Sequence, residues 1–178
     1  MKHCMIDLET VGQSPRAGIL SLAAVFFVPE TGELGNTFFA KINPIDSFKF
    51  GEADGSTFKW WMTQSNHARI VAVEGTAGLS ISLGQFSTFL SACPQEDLRV
   101  WGNGATFDLT ILEHAYDTLQ ISRPWTFRAH RDVRTVKDIA EDLFKMPSKP
   151  IDAHNALVDA VFQAKWVSTA WQALRNSR

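Results

Sequence analysis

Cys4, Ile6 and Leu8 alternate with Met5, Asp7 and Glu9 near the start of the chain, a period of two that predicts a strand from Lys2 to Leu8. A polar loop from Thr10 to Arg16 follows. Gly18 to Val28 then carries ILSLAAVFFV, the pattern of a strand buried on both faces. Pro29-Glu30-Thr31-Gly32 reads as a turn, and Gly35 to Ile42 as the return strand of a hairpin. Asn43 to Ser56 is polar and turn-rich and reads as a loop, after which Thr57 is placed to cap a short helix carrying Trp60, Trp61 and Met62. Leu83, Phe86, Phe89 and Leu90 have helical spacing within Ser82 to Ala92. Leu98 to Trp101 is a short strand, and Gly102-Asn103-Gly104 leads into a helix from about Thr106 to Leu119. Beyond Pro124 and the basic stretch RAHRDVR, one helix spans about Thr135 to Phe144, ending before Pro147 and Pro150, and a last one about Asp152 to Leu174. Strands first and helices later, with at least one βα unit, predict an α/β fold: a mixed sheet whose first three strands are antiparallel, covered by helices.

The 178 residues suit one domain, expected to span 1–178, and a hydrophobic content of 45% fills one core. Seventeen Lys+Arg against 19 Asp+Glu exclude binding of nucleic acid by bulk positive charge, though not a local site. Two cysteines, Cys4 and Cys93, make neither a disulfide framework nor a CxxC zinc site. No apolar run approaches the roughly 18 residues of a membrane span, and MKHCMIDLET lacks the apolar stretch of a signal peptide. The expectation is a soluble cytoplasmic protein with no membrane contact.

Several acids sit where packing does not want them. Asp7 and Glu9 leave the same face of a strand, where adjacent carboxylates repel; either a divalent cation offsets that cost or both acids face solvent at a sheet edge. Asp108 in NGATFDLTIL falls in the first turn of its helix if Thr106 is the N-cap, where the helix dipole alone would accommodate it. Asp159 lies in a helix whose other residues from Ala153 to Leu174 include one further full charge, Lys165, so it needs a cation or an arginine partner. Together the four carboxylates outline a two-metal centre with hard oxygen ligands. His154 precedes Asp159 by five residues, about 140° around a regular helix, so it belongs in the first turn or the loop before it, either exposed or bent toward the site as a general base.

These residues resemble the DEDDh subgroup of the DnaQ-like 3′-to-5′ exonucleases, which have a ribonuclease H-like fold. MIDLET, NGATFDLTIL and AHNALVDA match the three motifs in order, across residues 5 to 164, and the last contains the HxxxxD spacing of the subgroup. The long apolar second strand after DxET and the segment FKWWMTQS are most similar to a branch of compact bacterial, mycobacterial and phage exonucleases that act on RNA or DNA. The resemblance implies that Asp7, Glu9, Asp108 and Asp159 bind two Mg²⁺ or Mn²⁺ ions. It further implies that His154 deprotonates the attacking water, that 5′-mononucleotides leave the 3′ end of a nucleic acid, and that a homodimer is to be expected. It also brings the backbone of Leu8 and Thr10 toward the 3′ end.

Further candidates come from residue type. One of Trp60 and Trp61 can stack on a terminal base while the other packs inside, Trp60 being the choice for stacking. Asn103 and Phe107 flank the βα junction and either contact the nucleotide or serve the turn and the core. Arg123, Arg128, Arg131 and Arg134 form a cluster suited to phosphates, to a solvated surface or to an interface. Two other functions fit the same fold, a non-catalytic binding module and a phosphohydrolase of free nucleotides; the intact acids and His154 speak against the first, and the second needs a closed pocket.

Overall fold

A computed structural model describes residues 1–144 and 154–177 of the chain. Its centre is a five-stranded sheet of order β3-β2-β1-β4-β5. β1 (His3–Thr10) pairs antiparallel with β2 (Ile19–Val28), and β2 with β3 (Glu33–Lys41). On the other side of β1 lie β4 (Arg99–Gly102) and β5 (His130–Asp132), both parallel to it. The expected mixed sheet with an antiparallel opening is the observed one.

The alternation in β1 sorts the molecule into layers. Cys4, Ile6 and Leu8 face a core shared with α4 (Leu79–Leu90) and α5 (Ala105–Thr118), through Leu83, Phe86, Leu109 and Leu112. Met5 faces the opposite core, with Trp101 and with α6 (Val133–Ala140) and α7 (Ala156–Asn176). β2, between them, is buried along its length except at Val28. On α7 the buried positions Ala156, Asp159, Ala160, Gln163, Ala164 and Val167 form one stripe at helical spacing, while Leu157, Val158, Val161 and Phe162 are half-buried. Between Ala156 and Leu174 only Lys165 and Thr169 are exposed, so the helix is covered on most sides.

Several local expectations are corrected. The segment Asn43 to Ser56 is not a loop: α1 (Pro44–Phe50) starts there, with Asn43 as cap and Pro44 in the first turn. Asp54, not Thr57, caps α2 (Gly55–Thr63), its Oδ1 accepting the Thr57 N–H at 2.7 Å. Gly104, not Thr106, caps α5. α3 (Asn66–Val73) and β5 were not expected, and α6 begins two residues before Thr135 and ends at Ala140. Pro147, Pro150 and Asp152, expected at the helix boundaries, lie outside the described residues. None of the described helices is long and apolar enough to cross a membrane.

Candidate active site

Three separate stretches meet at the end of β1. Asp7 and Glu9 project together toward the α7 side, opposite Ala23 and Ser21 of β2, whose small side chains leave the acids room. A register shift follows between Glu9 and Thr10, so pairing is disturbed where the acids sit. Asp108 reaches β1 from the other helical layer, its Oδ1 accepting the Leu8 N–H at 3.3 Å. Its helix turns sharply out of β4 because Gly104 takes a left-handed φ of 100°. A Cβ on Gly102 would meet the Asp108 carboxylate at 3.1 Å, so glycine keeps helix and strand close. On α7, Asn155 caps the helix by accepting the N–H groups of Leu157 and Val158. His154, just before the cap, adopts φ 75°, which folds it back so that its own N–H donates to Asp159 Oδ2 at 2.9 Å. This is how two residues 140° apart on an ideal helix come to share a site.

Asp7, Glu9, His154 and Asp159 line a cavity of about 420 Å³ that continues between α6 and α7 past Lys137, Gln163 and Trp166. The acids are costly neighbours. Burial pushes the Asp7 carboxyl well above the usual carboxylate range, and the charges of Asp108 and Glu9 push it further, against a hydrogen bond from Gln163. Burial likewise raises Asp108 to about 7, although the Leu8 N–H and the Arg134 charge work in the opposite direction. Glu9, His154 and Asp159 each offer a ligand atom, and those atoms lie within 4.8 Å of one another. Crowded oxygen donors, with Asp7 raised by the neighbouring charges of Asp108 and Glu9, fit a hard divalent cation, which would add positive charge among them.

The model of the 3′-5′ exoribonuclease Rv2179c-like domain family matches residues 2–171. The chain belongs to this family. This Rv2179c-like domain is therefore a 3′-5′ exonuclease, a hydrolase, with the DEDDh pattern in the acids and histidine described above. It is 26% identical over 157 residues to the exodeoxyribonuclease of Enterobacteria phage T4, covering 74% of this chain and 68% of that one. Among solved structures, the nuclease domain of 3′hExo, a DEDDh family member, bound to rAMP, superposes with a TM-score of 0.62 at 15% identity, covering 96% of this chain and 91% of that one. E. coli Exonuclease I in complex with an oligonucleotide superposes with a TM-score of 0.66 at 14% identity, over 99% of this chain but 43% of that longer one. At such identities the structures share the ribonuclease H-like fold.

The other expected site residues of the Rv2179c-like domain fall into two groups. Leu8 and Asn103 line the cavity, and Trp60, 40% exposed, sets its ring at 89° to that of His154 with centroids 4.8 Å apart. Trp61 is the buried partner, and its indole N–H donates to the Thr10 carbonyl, tying α2 to the end of β1. Arg134 lies against Gly104 at the βα junction, near enough to act on Asp108. Of the remaining candidates, Thr10 is buried, its hydroxyl donating to the Gly12 carbonyl and its backbone carbonyl accepting from Trp61, and Phe107 packs on the core. Arg131 donates to the carbonyls of Arg128 and His130, Arg128 lies exposed over the Phe127 ring, and Arg123 pairs with Glu113 and Asp117 of α5. The four arginines do not converge on the cavity. Gln163 and Lys137, which do line it, were not singled out in the sequence. For Gln163 a signal existed: it stands four residues after Asp159 on the same buried stripe.

Proposed function

We propose that this domain removes nucleotides one at a time from the 3′ end of single-stranded or 3′-overhanging RNA or DNA and releases 5′-mononucleotides. In this reading Asp7, Glu9, Asp108 and Asp159 hold two Mg²⁺ or Mn²⁺ ions and His154 is the general base. The observation that carries it is that Asp7, Glu9, His154 and Asp159, from β1 and the start of α7, line one cavity, while Asp108 of α5 is bonded to the N–H of Leu8 between the first two acids. Bound there, divalent cations would offset the phosphodiester charge and make water easier to deprotonate.

The protein groups have distinct tasks. A ring nitrogen of His154 takes the proton from the attacking water; its backbone is fixed on Asp159 and its ring is held edge-on by Trp60, which presets its direction. The water oxygen bonds to phosphorus as the bond from phosphorus to the 3′ oxygen of the preceding nucleotide breaks, and that oxygen takes a proton from solvent and leaves as the new 3′ hydroxyl. The exposed surface of Trp60 stacks on the terminal base, and Leu8 and Asn103 line the path to the acids. Arg128 and Arg134, both exposed, meet strand phosphates. Self-association, where it occurs, has an apolar surface available in Phe48, Phe58, Met62 and Val73, which line a groove of about 220 Å³. Analytical ultracentrifugation counts the copies.

The family description supports RNA as substrate, and the phage T4 relative supports DNA. A comparison of 3′-labelled and 5′-labelled RNA and DNA, single-stranded and with 3′ overhangs, in Mg²⁺ and in EDTA, decides both sugar and direction. The expected result is immediate release of 3′ label as mononucleotide and stepwise shortening of 5′-labelled strands, both abolished by EDTA. Release of 5′ label first, or digestion in EDTA, overturns the proposal.

A further inference from the structure

Gln163 occupies a costly place. It is 8% exposed, on the stripe of α7 otherwise filled by alanines, Val167 and Asp159. Its Nε2 donates to Asp7 Oδ1 at 2.7 Å, and its Oε1 is buried with no hydrogen-bond partner among the described residues. An amide oxygen buried in that way costs stability, and an apolar side chain of similar length would fill the stripe without the cost. Packing therefore does not account for the glutamine, whereas its bond to Asp7 does. The donor is also neutral. A lysine or arginine there would spend its charge on Asp7 in competition with a cation, while an amide N–H occupies one carboxylate oxygen and leaves the charge in place.

We propose that Gln163 is a positioning residue of the active site: its amide holds Oδ1 of Asp7 and turns the other carboxylate oxygen, Oδ2, toward the divalent cation. This rests on the metal-site reading above. Gln163 lines the cavity, and in this reading its part in the site is carried through its bond to Asp7. It lies one turn beyond Asp159, so α7 supplies one acid directly and orients a second acid on β1.

The test is direct binding of Mn²⁺, read from the electron paramagnetic resonance signal of the free ion, with unfolding temperature in EDTA measured alongside. Gln163→Met keeps length and loses the donor; Gln163→Ala is the second variant should methionine not be accommodated. Both are expected to bind Mn²⁺ about 10–100-fold more weakly than wild type, and Gln163→Met is not expected to unfold earlier in EDTA. In an Asp7→Asn background, Gln163→Met should add no further loss, because the carboxylate it orients is gone. Wild-type Mn²⁺ affinity in a folded Gln163 variant overturns the proposal, as do losses that add in the double variant or a lowered unfolding temperature with unchanged affinity. If wild-type protein itself binds no Mn²⁺, the metal-site reading fails as well; if it binds and Gln163→Met binds equally, this inference alone fails.

Discussion

His3 is buried beside Phe27, Trp101 and Trp171, and its Nδ1 accepts the Trp101 indole N–H at 3.0 Å. Protonating that nitrogen would set two donors against each other. Burial lowers the His3 pKa from 6.5 to about 4, the charge of Glu30 opposing and Lys2 assisting. The unfolded chain thus binds a proton that the folded chain refuses. The associated stability is fully present above about pH 6.5 and is lost as pH falls toward 4, by up to about 3 kcal/mol. Urea unfolding at pH 7 and pH 4.5 should show this loss in wild type and not in His3→Asn, whose amide oxygen can accept the same N–H; equal losses in both would exclude His3 as the source. Charged residues in apolar elements are what a sequence reveals best. Asp7, Glu9 and Asp159 interrupt a strand and a buried helical stripe, so their cost is visible in one dimension. Gln163 was overlooked because a neutral amide disturbs the hydrophobic pattern less. Within the arginine cluster the pattern alone did not separate Arg123, which pairs with Glu113 and Asp117 of α5, from Arg128 and Arg134, which stay exposed.

Among the elements, the joint between α5 and α6 matters most for the site. Asp132 closes β5 and accepts from two helix starts at once, the Arg134 N–H with Oδ1 and the Ala105 N–H with Oδ2. One carboxylate thereby fixes the first turn of the helix that delivers Asp108. Asp132→Ala should cost about 1–2 kcal/mol in urea unfolding, the range for a lost cap, and should slow turnover by loosening Asp108. A variant with unchanged stability would show that the two bonds are not formed together in solution. The long elements β2, α5 and α7 were legible because apolar runs and helical periodicity extend over ten residues or more. α1 and α3 were not, since Ile45, Phe48, Ile70 and Val73 are exposed and the short helices are fixed by the caps Asn43 and Ser65 rather than by a buried stripe. β5 was hidden by its composition: His130, Arg131 and Asp132 are all half-buried at a sheet edge, where charged side chains are tolerated.

For the whole molecule, the near-balanced charge of the sequence says little, and the distribution of acids says much. The two cores lie on opposite faces of the sheet, one with α4 and α5, the other with α6 and α7. The acids gather where both layers reach the end of β1, so neither layer alone makes the site. Cations that neutralise this end relieve a repulsion the fold otherwise carries, and removing one acid relieves part of it too. Asp7→Ala and Asp159→Ala are therefore expected to stay folded in EDTA, by far-ultraviolet circular dichroism. The central claim is that these acids act together as the nuclease site. Its most direct test is the rate of nucleotide release from a 5′-labelled single-stranded oligonucleotide in Mg²⁺, wild type beside the two variants. The predicted result is shortening from the 3′ end by wild type and only the EDTA background with either folded variant; shortening at the wild-type rate by either would contradict the claim.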